Sequence, residues 1–99
     1  MLENKIYQGD IGLAIIADVN EDIDNATDVK LFVRKPGGEE VVWDAVVHEA
    51  NGRKKYVKYV TQEGDLDKRG RYLVQPYIEI PGWKGRGETD EFRVEAHFR

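Results

Sequence analysis

The stretch Gly64-Asp65-Leu66-Asp67-Lys68-Arg69-Gly70-Arg71-Tyr72 decides how this chain is read. It sets an aspartate, a glycine and then a tyrosine directly before a long alternating run. A tyrosine in that place can send its hydroxyl back to the backbone a few residues upstream and so tie a connection to the strand it opens. Asp67, Gly70 and Tyr72 are therefore expected to form a structural corner, with Leu66 plugging the end of the core.

Period-two alternation spreads outward from this corner. Tyr72, Val74, Pro76, Ile78 and Ile80 read as one inward face. Val29, Leu31 and Val33 alternate with Lys30, Phe32 and Arg34, and Val41, Trp43, Ala45 and Val47 with Val42, Asp44, Val46 and His48. Phe92, Val94, Ala96 and Phe98 alternate with Arg93, Glu95 and His97. Such runs are strands with one buried face, and helical spacing is sustained nowhere. Seven strands are expected, over residues 5–7, 13–19, 29–35, 40–48, 54–61, 71–80 and 88–98. Pro36-Gly37-Gly38 and Asn51-Gly52 are hairpin signals, because glycine and asparagine tolerate positive φ. Residues 82–87 form a further connection. Short strands with such turns, a tyrosine corner and a single domain over residues 1–99 predict an all-β, immunoglobulin-like sandwich of two antiparallel sheets. Val29, Leu31, Val33, Trp43, Tyr72 and Phe92 are expected inside. Pro76 cannot donate to a ladder, so an edge strand or a bulge is expected there.

Composition narrows the function. The chain has no cysteine, so the sandwich must hold by packing alone, which suits a reducing compartment. Fifteen basic and nineteen acidic residues give a net charge of −4, which tilts against nucleic acid as a partner. The apolar run 13–17 is far too short to span a bilayer. Residues 1–5 lack a basic segment followed by an apolar one, so neither a secretion signal nor a membrane role is expected. Serine is absent as well, and His48 and His97 sit at outward strand positions. A Ser–His or Cys–His pair cannot be built. Carboxylates are plentiful, but carboxylate catalysis needs a cleft and two differently tuned groups. The chain is therefore expected to be no enzyme and to carry no cofactor and no metal. Asp18-Val19-Asn20-Glu21-Asp22-Ile23-Asp24 imitates the opening of a calcium loop, yet Ile23 replaces the turn glycine and Val29 the closing glutamate. A solvated loop is expected, with weak calcium binding left open.

Gly82-Trp83-Lys84-Gly85-Arg86-Gly87 has the wrong spacing for a phosphate loop. It sets a large aromatic between glycines, with two cations beside it. Trp83, Lys84 and Arg86 are the candidate partner-contact residues. Trp83 is either a contact residue or a lid folded over the sandwich end. The acidic loop 20–27 and the basic turn 82–87 are expected at the same end of the sandwich. Trp83 with Tyr77 or Tyr59 would alternatively suit stacking on a sugar, as in a small carbohydrate-binding module. Lys54, Lys55 and Pro76 are expected to guard sheet edges, which leaves self-association open through another edge.

Three stretches carry a resemblance. They are Lys5-Ile6-Tyr7-Gln8-Gly9-Asp10-Ile11-Gly12, then Thr61-Gln62-Glu63-Gly64-Asp65-Leu66-Asp67, and Glu79-Ile80-Pro81-Gly82-Trp83-Lys84-Gly85 with Gly87-Glu88-Thr89. Together with the segment 29–36 they resemble small immunoglobulin-like proteins of tailed bacteriophages and prophages, a group similar to the N-terminal domain of phage baseplate upper proteins. The resemblance implies a structural or assembly role with no activity and no cofactor. It further implies docking onto tail or baseplate proteins, assembly in the host bacterial cytoplasm, and a place in the virion. It supplies no catalytic residues and marks the turn 81–87 as a characteristic surface.

Overall fold

The computed structural model describes residues 5–96. His97 and Phe98, placed in the last strand by their alternation, lie outside the described residues. The described residues form nine strands: β1 (Ile6–Tyr7), β2 (Ala14–Asp18), β3 (Asp28–Arg34), β4 (Glu40–Asp44), β5 (Val46–Ala50), β6 (Arg53–Val60), β7 (Gly70–Ile80), β8 (Trp83–Arg86) and β9 (Asp90–Glu95). The larger sheet has the order β1-β9-β7-β3-β4, with β8 also paired to β7; the smaller sheet has the order β2-β6-β5. This is the expected immunoglobulin-like sandwich, all-β and built of two sheets. Among the described residues no helix is long and apolar enough to cross a membrane. Every pairing is antiparallel except β1 with β9, which runs parallel.

Two expected elements resolve more finely. The run 40–48 is divided at Ala45: β4 pairs with β3 in the larger sheet, and β5 pairs with β6 in the smaller. The inward set Val41, Trp43, Ala45, Val47 stays inward through the crossing, and the small Ala45 lets the chain change layers there. The connection 82–87 is itself a strand, β8, folded back on β7 with Ile80 opposite Trp83. Asn51 and Gly52 both take positive φ, 54° and 73°, in the two-residue turn between β5 and β6, as a turn matching the twist of its strands requires.

The core lies between the sheets. Leu31, Val57, Leu66, Tyr72 and Val94 are fully buried, and each contributes roughly 1.5–3 kcal/mol through removal of apolar surface from water. All six residues expected inside pack there, with Phe92 half-buried and stacked on Tyr72 at 5.1 Å. Trp43 stacks on Tyr59 at 4.6 Å.

Pro76 departs from expectation. It sits in β7, a central strand rather than an edge, paired with Leu31 of β3. On its other side β7 pairs with β9 over Gly70–Val74 and with β8 over Tyr77–Ile80. Pro76 falls where one partner hands over to the other. The Gly87 N–H donates to the Pro76 carbonyl at 2.9 Å, so the side on which Pro76 lacks an N–H is the side where the ladder is interrupted. A Cβ on Gly87 would lie 2.9 Å from the proline Cγ, so glycine lets the connection close over the ring.

The tyrosine corner forms as expected. The Tyr72 hydroxyl donates to the Lys68 carbonyl at 2.8 Å and accepts from the Lys68 N–H at 3.1 Å. Gly70 has φ +124°, and a Cβ there would lie 2.9 Å from Pro36 Cγ. Asp67 pairs with the buried Lys35 at 2.8 Å, and Lys35 also donates to the Gly64 carbonyl at 3.3 Å. The Gln8 amide donates to the Asp67 carbonyl at 2.7 Å. The hydrogen bond from Lys35 holds the Asp67 carboxyl below the usual carboxylate range. Burial pulls Lys35 down, but its bond to Asp67 and the surrounding negative charge together outweigh that and raise it.

Replacing Tyr72 with phenylalanine is expected to cost about 1 kcal/mol, because it strands the Lys68 backbone pair. That corresponds to a fall of about 4–8 °C in Tm for a domain of this size. Gly70→Ala is expected to cost more, since it strains φ and strikes Pro36. Thermal denaturation of both variants measures the corner, and unchanged midpoints would remove it from the stability of the fold.

A second expectation concerns pH. The carboxyl of Asp67 is depressed on folding, so its contribution is present above about pH 4 and lost as pH falls through its own lower value. Lys35 is raised, so its share persists to high pH and is lost only as pH rises through the raised lysine value. Asp67→Asn should flatten the acid limb of stability against pH and cost about 1 kcal/mol at pH 7, because Asp67 is half exposed. Urea titrations between pH 2 and 7 test it; parallel acid limbs in the two proteins would refute it.

Candidate functional site

The outer face of the larger sheet brings together apolar residues from three adjacent strands. Phe32 of β3 stands opposite Val42 of β4 on one side and Gln75 of β7 on the other. Tyr77 follows Gln75 on the same face and meets the Phe32 ring edge-on at 5.5 Å. Phe32, Val42, Leu73, Gln75 and Arg86 line a shallow hollow of about 470 Å³. Val42, on the edge strand β4, is 51% exposed.

The charges around the hollow are mostly neutralised. Arg34 grips the Glu40 carboxylate through two nitrogens, at 2.9 and 2.6 Å. Lys30 lies 3.1 Å from Asp28 and 3.5 Å from Asp44, and its hydrogen bond to Asp28 raises its pKa. The Tyr77 hydroxyl donates to Glu79 at 2.7 Å, a bond that pushes the phenol upward. Arg86 differs. Its guanidinium lies 4.2 Å from the centre of the Phe32 ring and donates to Gln75 at 3.1 Å. It makes no ion pair with a carboxylate among the described residues. An aromatic patch with one cation held flat on it is a surface suited to protein contact.

The register of the β7–β8 hairpin divides the expected trio. Arg86 stands opposite Tyr77 and Lys84 opposite Glu79, so both face outward with the patch. Trp83 stands opposite Ile80 and points to the other side. It is 50% exposed, and its ring lies over Gly85 of its own hairpin, where a Cβ would come within 2.8 Å. Trp83 is not among the residues packed on the core. Tyr77 is on the opposite face, and Tyr59 is half-buried against Trp43 with its hydroxyl donating to Asp65. The structure thus does not assemble Trp83 with Tyr77 or Tyr59 into the flat platform that sugar stacking would use.

The two expected loops meet only at their margins. The Thr27 N–H and hydroxyl both bond the Glu79 carbonyl, at 2.7 and 3.2 Å, and Thr27 borders the small hollow beside Trp83. The acidic residues turn elsewhere: Asp24 pairs with Lys54 at 2.9 Å and Asp18 with Lys55 at 3.2 Å. Lys54 and Lys55 belong to β6, the middle strand of its sheet, so they neutralise the loop rather than guard an edge. Asp18 and Asp22 accept the N–H groups of Asn20 and Asp24. Ile23, at the place of a calcium loop's glycine, is a core residue at 3% exposure. Among the described residues no three His, Asp or Glu side chains are placed to share a metal ion. His48 meets Tyr56 edge-on on the outer face of the smaller sheet; His97 lies outside the described residues.

The patch was missed in the sequence because each member looked like an isolated outward residue. The usable signal was Phe32, Val42, Leu73 and Tyr77, all apolar at positions that alternation turns toward solvent. Only strand order shows that they touch.

Comparison with known proteins adds the fold and no more. No family model matches the chain, and no curated protein matches it. Among solved structures the chain is similar to the crystal structure of CopC from Methylosinus trichosporium OB3b, with a TM-score of 0.60 and 16% identity over 96% of this chain and 87% of that one. At that identity the likeness is one of architecture.

The two tryptophans are expected to respond oppositely to truncation. Trp43→Ala should cost about 3–5 kcal/mol, as for a buried aromatic, whereas Trp83→Ala should change stability by less than about 0.5–1 kcal/mol. Denaturant unfolding separates the cases, and a large loss for Trp83→Ala would identify Trp83 as a lid.

Proposed function

We propose that this chain is a non-enzymatic structural and assembly module of a tailed phage or prophage, and that it docks onto tail or baseplate proteins. The observation that carries the docking is the outer face of the larger sheet: half-buried Phe32, Leu73 and Tyr77 lie beside exposed Val42, with Arg86 uncompensated by any carboxylate among the described residues. Apolar patches of this kind are costly to leave in water unless they are used. Arginine laid on an aromatic ring keeps donors free for a partner's carboxylate. The phage assignment is supported by the sequence resemblance, whose stretches cover β1 with its turn, the connection 61–67 leading into the tyrosine corner, the turn between β7 and β8, and β3 with the segment to residue 36. Assembly in the host cytoplasm, with a virion or tail-associated role, goes with that assignment.

The test is binding of the pure protein to the tail and baseplate proteins encoded beside its gene, followed by calorimetry. Phe32→Ala and Arg86→Ala are expected to weaken binding by at least about tenfold each, as central contact residues do, while thermal midpoints move little. Trp83→Ala reports whether the hairpin's other side also touches the partner. Binding that survives both Phe32→Ala and Arg86→Ala would refute the docking face; absence of any tail or baseplate partner would refute the assignment.

A further inference from the structure

The smaller sheet ends in an edge, β2, that is apolar up to its last residue, Asp18. The Thr61 N–H donates to the Leu13 carbonyl and the Val19 N–H to the Lys55 carbonyl, both at 2.9 Å. Hydrogen bonding alternates along an antiparallel strand, so Ile15 and Ala17 also face β6. Ala14, Ile16 and Asp18 therefore turn their N–H and C=O groups away from the sheet. Among the described residues no strand pairs with that side of β2.

The other edges are shorter or blunted: β8 has four residues, two of them Lys84 and Arg86. β5 is broken by an irregular register between His48 and Ala50. β4 is bounded by Glu40 and Asp44, and β1 has only two residues. β2 carries Ala14-Ile15-Ile16-Ala17 without proline or bulge, and its one charge, Asp18 at the strand end, is taken up by Lys55 of the same sheet. Its outer face is apolar as well. Ile16 is 47% exposed, and beyond its neighbour Lys58 stands Val46 at 61%.

We propose that β2 pairs antiparallel with β2 of a second copy of this chain, about a two-fold axis through Ile16. The strand is self-complementary in that register. Ile16 meets its own copy, and Asp18 meets Ala14, so neither carboxylate faces another. The two three-stranded sheets become one continuous sheet, and each facing pair at 14, 16 and 18 exchanges two backbone hydrogen bonds. Asp18 remains bound to Lys55 of its own chain at 3.2 Å, so its charge is already balanced. The outer patch with Phe32 and Arg86 belongs to the other sheet and stays free for a different partner.

Amide exchange followed by NMR at about 0.05 and 1 mM protein tests the pairing. The amides of Ala14, Ile16 and Asp18 are expected to gain protection with concentration, while those of Ile15 and Ala17 stay protected throughout. Sedimentation equilibrium over the same range should show a monomer–dimer equilibrium. Ala14→Lys, which faces Asp18 of the second copy, should tighten it by about tenfold, and Ala14→Glu should weaken it by a similar factor, since each facing pair occurs twice. Concentration-independent exchange at all three amides, a monomer at 1 mM, or equal effects of the two Ala14 variants would overturn the proposal.

Discussion

The tyrosine corner is the constraint on which the rest of this sandwich leans. Without a disulfide, two sheets have only packing and the chain itself to fix their relation. Tyr72 fills the core with its ring and holds Lys68 with its hydroxyl, so one side chain joins the hydrophobic layer to the connection that closes it. Lys35 reaches the same connection from the β3–β4 turn, and Gln8 reaches it from the segment after β1. Three distant parts of the chain thus converge on residues 64–72. Burying a lysine is expensive unless it is paired, and here Asp67 and the Gly64 carbonyl provide the pairing.

β7 is the second organising element. It follows β3 along one side and divides its other side between β9 and β8. Pro76 occupies the division, where a missing donor costs least. That placement also explains the outer patch. The β8 hairpin can continue the sheet only because β9 has ended, and it is β8 that lays Arg86 across Phe32.

Much of this was legible in the residues. Alternation found the strands and the six inward residues, and the spacing of Asp67, Gly70 and Tyr72 found the corner, because these signals are local and depend on one strand's geometry. The division at Ala45 was hidden because both halves keep the same inward parity; changing sheets leaves no mark on alternation. β8 was hidden by its glycines, which read as a turn although Gly85 lies in the strand beneath the Trp83 ring. Lys54 and Lys55 were misplaced at an edge because edge or centre is a property of strand order, which single-strand patterns do not contain. The outer patch lay beyond the sequence for the same reason. Phe32 and Arg86 are far apart in the chain, and only the register of β3, β7 and β8 makes them neighbours.

The parallel pairing of β1 with β9 has a mechanical consequence. Ile6 lies beside Val94 and Tyr7 beside Glu95, and the Gln8 N–H continues the ladder to the Glu95 carbonyl. Tension applied before β1 and after β9 draws these strands past one another along their length. Their hydrogen bonds then share the strain and fail together rather than opening one by one like a zip. A module built this way resists being pulled from its two ends better than its small core would suggest.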